Sequence, residues 1–151
     1  MATHAAKGGR PEAVTQFAIF TPNRLGRLHD LVDLFGARGV HVLALTVLDT
    51  TDSAIIRVIV DDPDCARELL AEKEFPFTES RVVVVEANPT DLGRLMAVLL
   101  QAEVNVNYLY SFIPHPHGKS ILALSLEDND LAEHALRRSQ FNTLRQADIS
   151  R

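Results

Sequence analysis

Apolar positions change their spacing in a regular order along the chain. "TQFAIF" (Thr15–Phe20) is a short β-rich run and reads as a strand. Leu28, Leu31, Val32, Leu34 and Phe35 then recur at helical spacing, which predicts an amphipathic helix over Arg27–Ala37, stopped by Gly39. "VHVLALTVLD" (Val40–Asp49) is a strand, "TTDS" a hairpin turn and "AIIRVIV" (Ala54–Val60) the returning strand. A second helix follows in "DDPDCARELLAEKE", with Asp62 as N-cap and Pro63 at the first helical position. A last short strand completes the order βαββαβ, the ferredoxin-like plan.

The pattern then returns. Shifted by 64 positions, Ala18-Ile19-Phe20 falls on Val82-Val83-Val84, Leu31, Leu34 and Phe35 on Leu95, Val98 and Leu99, and Val40-His41-Val42 on Val104-Asn105-Val106. Beyond the loop "PHPHGK" (Pro114–Lys119) the shift is 66, and Asp62, Asp64 and Ala66 fall on Asp128, Asp130 and Ala132. A repeat this long, with one insertion in a loop, marks an internal duplication. The second copy predicts a strand in "RVVVVEA", a helix over Asp91–Ala102, strands in "VNVNYLYSF" and "SILALSLE", a helix over Asn129–Ser139 and a final strand near Leu144–Ile149. Phe77–Glu86 has to hold both the last strand of the first copy and the first of the second. The fold class is therefore α+β: two tandem ferredoxin-like βαββαβ units with antiparallel sheets and helices on one face. The expected division is a loose tail over 1–14, a first unit over 15–80 and a second over 81–151.

The strands are apolar on both faces. Helices cover one; a second sheet is expected to cover the other, which predicts a homodimer of four units. Composition narrows the function. Apolar residues make up 46% of the 151, enough for a core, and the net charge of −5 argues against a nucleic-acid surface. The central strands "AIIRVIV" and "ILALSLE" also lack the aromatics that stack RNA bases. No apolar run has the length of a membrane span, and "MATHAAKGGRPEAV" lacks the apolar core of a signal peptide, so a cytoplasmic protein is expected. A single cysteine, Cys65, excludes an internal disulfide. There is no nucleophile–base pair, phosphate loop or metal set, so neither an enzyme nor a cofactor is expected.

Asn-Arg-x-Gly-x-Leu (Asn23–Leu28) before the first helix, and Gly-Val-x-Val (Gly39–Val42) leading into the second strand, resemble the ACT domain. "LDTTDSAIIRVIVDDPDCA" (Leu48–Ala66), the Pro-x-x-Leu of "NPTDLGRL" and "NVNYLYSF" (Asn105–Phe112) are similar to stand-alone bacterial proteins made of two such domains. The resemblance implies a non-catalytic regulatory protein that binds a small molecule, most often an amino acid, between its two repeats, with a target elsewhere. It implies a ligand site in which the loop before the first helix of one unit faces the second strand of its partner. The family's loop asparagine and glycine match Asn23 and Gly26, with Arg24 and Leu25 between them. Its polar strand residue matches Asn105 in the second repeat and His41 in the first. The opposite crossing pairs His41 with a loop reading Ala87, Asn88 and Thr90, a weaker second site. A glycine there lets the backbone approach a ligand, and free N–H groups at a helix start attract a carboxylate. The alternative is a ligand-free assembly module regulating a separate enzyme or transcription factor, with Gly26 easing a turn and Asn23 capping the helix.

Other chemistry weighs less. His115 and His117 supply only part of a metal site and read as a solvated loop. Cys65 precedes the apolar trio Ala66, Leu69 and Leu70 and reads as a packed thiol. Tyr108 and Tyr110 share a face with Val106 and Phe112, each hydroxyl needing a partner. Arg57, set among Ile and Val, is expected to pair with an acid across the sheets.

Overall fold

The computed structural model describes residues 12–22, 26–113 and 120–150. In order, the first repeat forms β1 (Val14–Pro22), α1 (Arg27–Ala37), β2 (Val42–Asp49), β3 (Ser53–Val60) and α2 (Pro63–Glu72). The strand β4 (Phe77–Glu86) leads into a 3-10 turn (Pro89–Asp91), α3 (Leu92–Gln101), β5 (Val106–Ser111), β6 (Ile121–Leu126), α4 (Asn129–Arg138), β7 (Thr143–Leu144) and α5 (Gln146–Ile149). Strand β1 begins at Val14, which is fully buried, so the expected tail gives way to the core one residue early.

Local chemistry sets the helix ends. Asp62 accepts the Cys65 N–H at 3.1 Å, and Asp128 accepts that of Leu131 at 3.0 Å, so both second helices begin on an aspartate cap. All four long helices end in one way. Gly39, Glu74, Glu103 and Gln140 have φ of 75°, 58°, 59° and 68°. The next residue, Val40, Phe75, Val104 or Phe141, returns its N–H to a carbonyl five residues back and buries its side chain. Only the first of these four left-handed positions is a glycine. Glu103→Gly and Gln140→Gly should each stabilise the protein by about 1 kcal/mol, read by urea unfolding. An unchanged midpoint would show that these side chains repay their backbone strain.

One strand serves both repeats. The first part of β4 pairs with β1, Ile19 opposite Phe77 through Val14 opposite Val82. From Val83 on it pairs with β6, and at Val84–Val85 with β7 as well. The strand order β2-β3-β1-β4-β6-β5 then closes on itself. Ala44 of β2 bridges Phe112, just past β5, and the Ile113 N–H donates to the Leu43 carbonyl at 2.9 Å. Closure leaves few edge groups unpaired.

Three apolar clusters result. Phe17, Ile19, Leu31, Phe35, Ile56 and Leu70 pack under the helices of the first repeat, and Val83, Val85, Leu95, Leu99, Leu124 and Leu136 under those of the second. The third lies inside the ring, where Val14, Ala44 and Ile59 meet Tyr110, Phe112 and Ala123. The second sheet required by the two-sided strands is thus the other half of the same chain. This corrects the motive for a homodimer, because the helix-free faces are already covered. The Arg57 guanidinium, expected to meet an acid, lies over the Tyr108 ring 4.0 Å from its centroid. Cys65 packs against the first cluster.

The final strand expected over 144–149 is corrected too. Only Thr143–Leu144 is strand, and a turn of helix follows. β1 occupies that side of β4 up to Val82, so an antiparallel β7 running on past Leu144, which pairs with Val84, would meet it within two residues. Gln146 then turns inward: its N–H donates to the Glu12 carbonyl at 3.1 Å, and its Oε1 accepts the Thr15 N–H at 3.0 Å.

Candidate functional site

Gly26 is the N-cap residue of α1, in the left-handed region at φ 90°, and no side chain of the described residues caps the helix there. A Cβ built on Gly26 would meet nothing within 4 Å. Among the described residues nothing covers this position, and the first N–H groups of α1 lack an intrahelical partner at the positive end of the helix dipole. Asn23, Arg24 and Leu25 lie outside the described residues.

Asn105 is exposed just before β5. Its Nδ2 donates to Glu127 Oε1 at 3.4 Å, and the Glu127 N–H donates to the Asn105 carbonyl at 3.0 Å. The bridge between Ala44 and Phe112 is antiparallel, so the start of β5 runs toward the β2–β3 turn. Pro22, the last residue of β1, pairs with Ser53 at that turn. The topology thus sends Gly26 and Asn105 to one end of the seam between β2 and β5.

The opposite end is built differently. Ala87 is buried in the second helix-side cluster, and Thr90 sits within the 3-10 turn whose N-cap is Asn88. The position equivalent to Gly26 thus lies in a tight 3-10 turn. His41 is occupied: its N–H donates to Asp61 Oδ1 at 2.8 Å, and its Nδ1 lies 2.8 Å from Asp61 Oδ2. Asp61 is 4% exposed. A cleft of about 570 Å³ opens beside Asp61, lined also by Glu12, Asp62, Asp64 and Gln146. Four carboxylates make it hostile to an amino-acid carboxylate, and neither Gly26 nor Asn105 lines it.

Glu127 was not legible as a site residue from its own surroundings. A signal existed: Asp61 and Glu127 stand 66 apart, so each strand residue, His41 or Asn105, has an acid partner at the same place in the repeat. Tyr108 and Tyr110 do not face the site. Both turn into the ring, where the Tyr110 hydroxyl donates to Gln16 Oε1 at 2.6 Å and Gln16 Nε2 donates to the Tyr108 hydroxyl at 2.8 Å. His115 and His117 lie outside the described residues. Among the described residues no three His, Cys, Asp or Glu side chains converge to hold a metal ion, and no helix is long and apolar enough to cross a membrane.

The family model of the ACT domain pair matches residues 12–151. The chain belongs to the ACT domain pair family. Two βαββαβ units sharing β4 are this family's duplication as it stands in this ACT domain pair. Protein BT0572 from Bacteroides thetaiotaomicron is 24% identical over 92% of this chain and 96% of its own, with a TM-score of 0.82. The regulatory subunit of aspartate kinase from Thermus thermophilus, in its ligand-free form, is 12% identical over 87% and 94%, with a TM-score of 0.61. That of Thermus flavus is 13% identical over 86% and 94%, with a TM-score of 0.54. At these identities the likeness is one of fold. No curated protein matches this ACT domain pair in sequence.

Proposed function

We propose that this ACT domain pair is a non-catalytic, cytoplasmic regulatory protein that binds an amino acid where its two repeats meet. The ligand carboxylate lies against the N–H groups at the start of α1, beside Asn23, Arg24, Leu25 and Gly26. Asn105 holds a polar end of the ligand, since an amide both donates and accepts, and Glu127 faces the ammonium group. One observation carries this reading: of two turns equivalent by repeat, the first has a left-handed glycine that, among the described residues, has no side-chain cap and nothing within 4 Å of a built Cβ, and the second has a buried alanine and a closed turn. The asymmetry favours one complete site per chain, the crossing of His41, Asn88 and Thr90 being the weaker. A separate protein is the regulated target, a role in keeping with the fold likeness to aspartate kinase regulatory subunits.

The test is a thermal-shift screen against the twenty amino acids, because a ligand of the native state raises its melting point. Calorimetry on the best ligand then locates the site. Asn105→Ala should weaken binding by about 1–3 kcal/mol, the cost of leaving a polar partner unpaired. Thr90→Val should titrate like the parent. The opposite pattern would move the site to the other end of the seam. A screen in which no amino acid raises the melting point would favour the assembly module.

A further inference from the structure

We infer that the amino acid taken at this site carries an aliphatic side chain; the inference rests on the site proposed above. Its basis is where the exposed apolar side chains of the described residues lie. The flank of α1 toward α2 is marked by Arg27, 4.7 Å over the Phe75 ring, and by Arg38, 3.8 Å from Glu72. Helical geometry puts Leu28 and Val32 on the other flank, toward the edge strand β2. Arg94, 4.0 Å over the Phe141 ring, marks the α4 side of α3 in the same way, and Leu100 lies away from it. Between the two helices, Val47 of β2 and Leu109 of β5 point to the helix side, since they pair with Ile56 and Leu124 of the two helix-side clusters. Val47 stands three residues past the bridged Ala44, and Leu109 three before the bridged Phe112, so the antiparallel seam sets them level.

Leu28, Val32, Val47, Leu100 and Leu109 are 38%, 41%, 44%, 78% and 40% exposed. They are five of the ten large apolar side chains so exposed among the described residues, gathered on the Gly26 side of the seam's middle. The repeat supplies the contrast. At the opposite end the mates of Leu28, Val32, Val47, Leu100 and Leu109, 64 positions away, are Leu92, Met96, Ser111, Gly36 and Leu45; of these only Leu92 is a large exposed apolar side chain, Met96 and Leu45 being partly buried against the helix-side clusters. The exposed apolar strip is therefore fuller at the Gly26 end than the repeat makes it at the other. Charge complementarity fixes the rest of the ligand: the helix start suits a carboxylate, the Glu127 carboxylate beside Asn105 suits an ammonium, and the side chain is left against the strip. Exposed apolar side chains gathered in one place repay burial, and a ligand with a hydrocarbon side chain provides it.

The test is calorimetric titration of the full chain with valine, leucine, isoleucine and methionine against serine, asparagine, lysine and aspartate. The aliphatic four should bind about tenfold tighter than serine or more, as hydrocarbon contacts of this size discriminate. Val47→Asp and Leu109→Asp should each weaken their binding by about tenfold, and the milder Val47→Thr by less. Leu131→Ser, on the exposed face of α4, should change nothing. Tightest binding by a polar or charged amino acid overturns the inference and leaves the site standing. Absence of heat with all eight overturns the site and the inference together. If sedimentation shows that Val47→Asp turns a dimer into a monomer while amino-acid binding is unchanged, the strip is an interface between copies and the inference fails.

Discussion

Gln16→Leu should destabilise the protein by about 2–4 kcal/mol, because it leaves two tyrosine hydroxyls without a partner inside the ring. Gln16 is 1% exposed, on β1 of the first repeat. Its amide accepts from the Tyr110 hydroxyl at 2.6 Å and donates to the Tyr108 hydroxyl at 2.8 Å, both on β5 of the second. It is a polar clasp between the repeats within an apolar cluster. Burial holds the Tyr110 phenol well above its ordinary value, so ionisation offers no escape from the unpaired state near neutrality. Tyr110→Phe should cost about 1–3 kcal/mol by orphaning the Gln16 oxygen. The double variant should be milder than the sum of the two, since removing both partners removes the desolvated pair. Urea unfolding of the four proteins reads the cycle. Strict additivity would mean that the hydroxyl and the amide do not act on one another.

The same clasp marks where sequence reasoning stops. Elements whose cause is local were legible. The helix Arg27–Ala37, the Asp62 cap and the turn at Thr50–Ser53 each follow from residues within one turn of one another. The repeat made the duplicated fold legible as well. Pairings between the repeats had no such signal. That β2 meets the end of β5 to close the ring, and that Arg57 meets the Tyr108 ring, depends on how one half lies against the other. The final strand was overextended because Leu144 and Ile149 look like strand residues, and both do pack against the interior cluster. What limits the strand is the side of β4 already taken by β1. At the candidate site, Gly26 was legible because a left-handed backbone has a residue signature. The apolar strip was not: Leu28, Val47, Leu100 and Leu109 lie far apart in sequence, and each alone reads as core.

Gly26→Val should abolish amino-acid binding while the protein stays folded. The two effects separate because of what surrounds the residue. Chain neighbours aside, no atom of the described residues lies within 4 Å of the position a Cβ would take, so a Cβ there displaces none of them. Its cost is backbone strain: at φ 90° and ψ −11° a β-branched residue is disfavoured by roughly 1–2 kcal/mol. That loss is small beside the 5–15 kcal/mol or so of a whole domain. In the proposed complex the same open space is where the ligand carboxylate reaches the helix N–H groups, and two γ-methyls would fill it. Gly26→Ala carries similar strain with less bulk and should weaken binding less. Gly93→Ala, in the first turn of α3 with nothing within 4 Å of its Cβ, is the control and should titrate like the parent. Circular dichroism melts confirm folding, and calorimetry reads affinity. If Gly26→Val melts within a few degrees of the parent and binds the same amino acid equally well, the carboxylate does not lie at the start of α1, and Gly26 serves the turn alone.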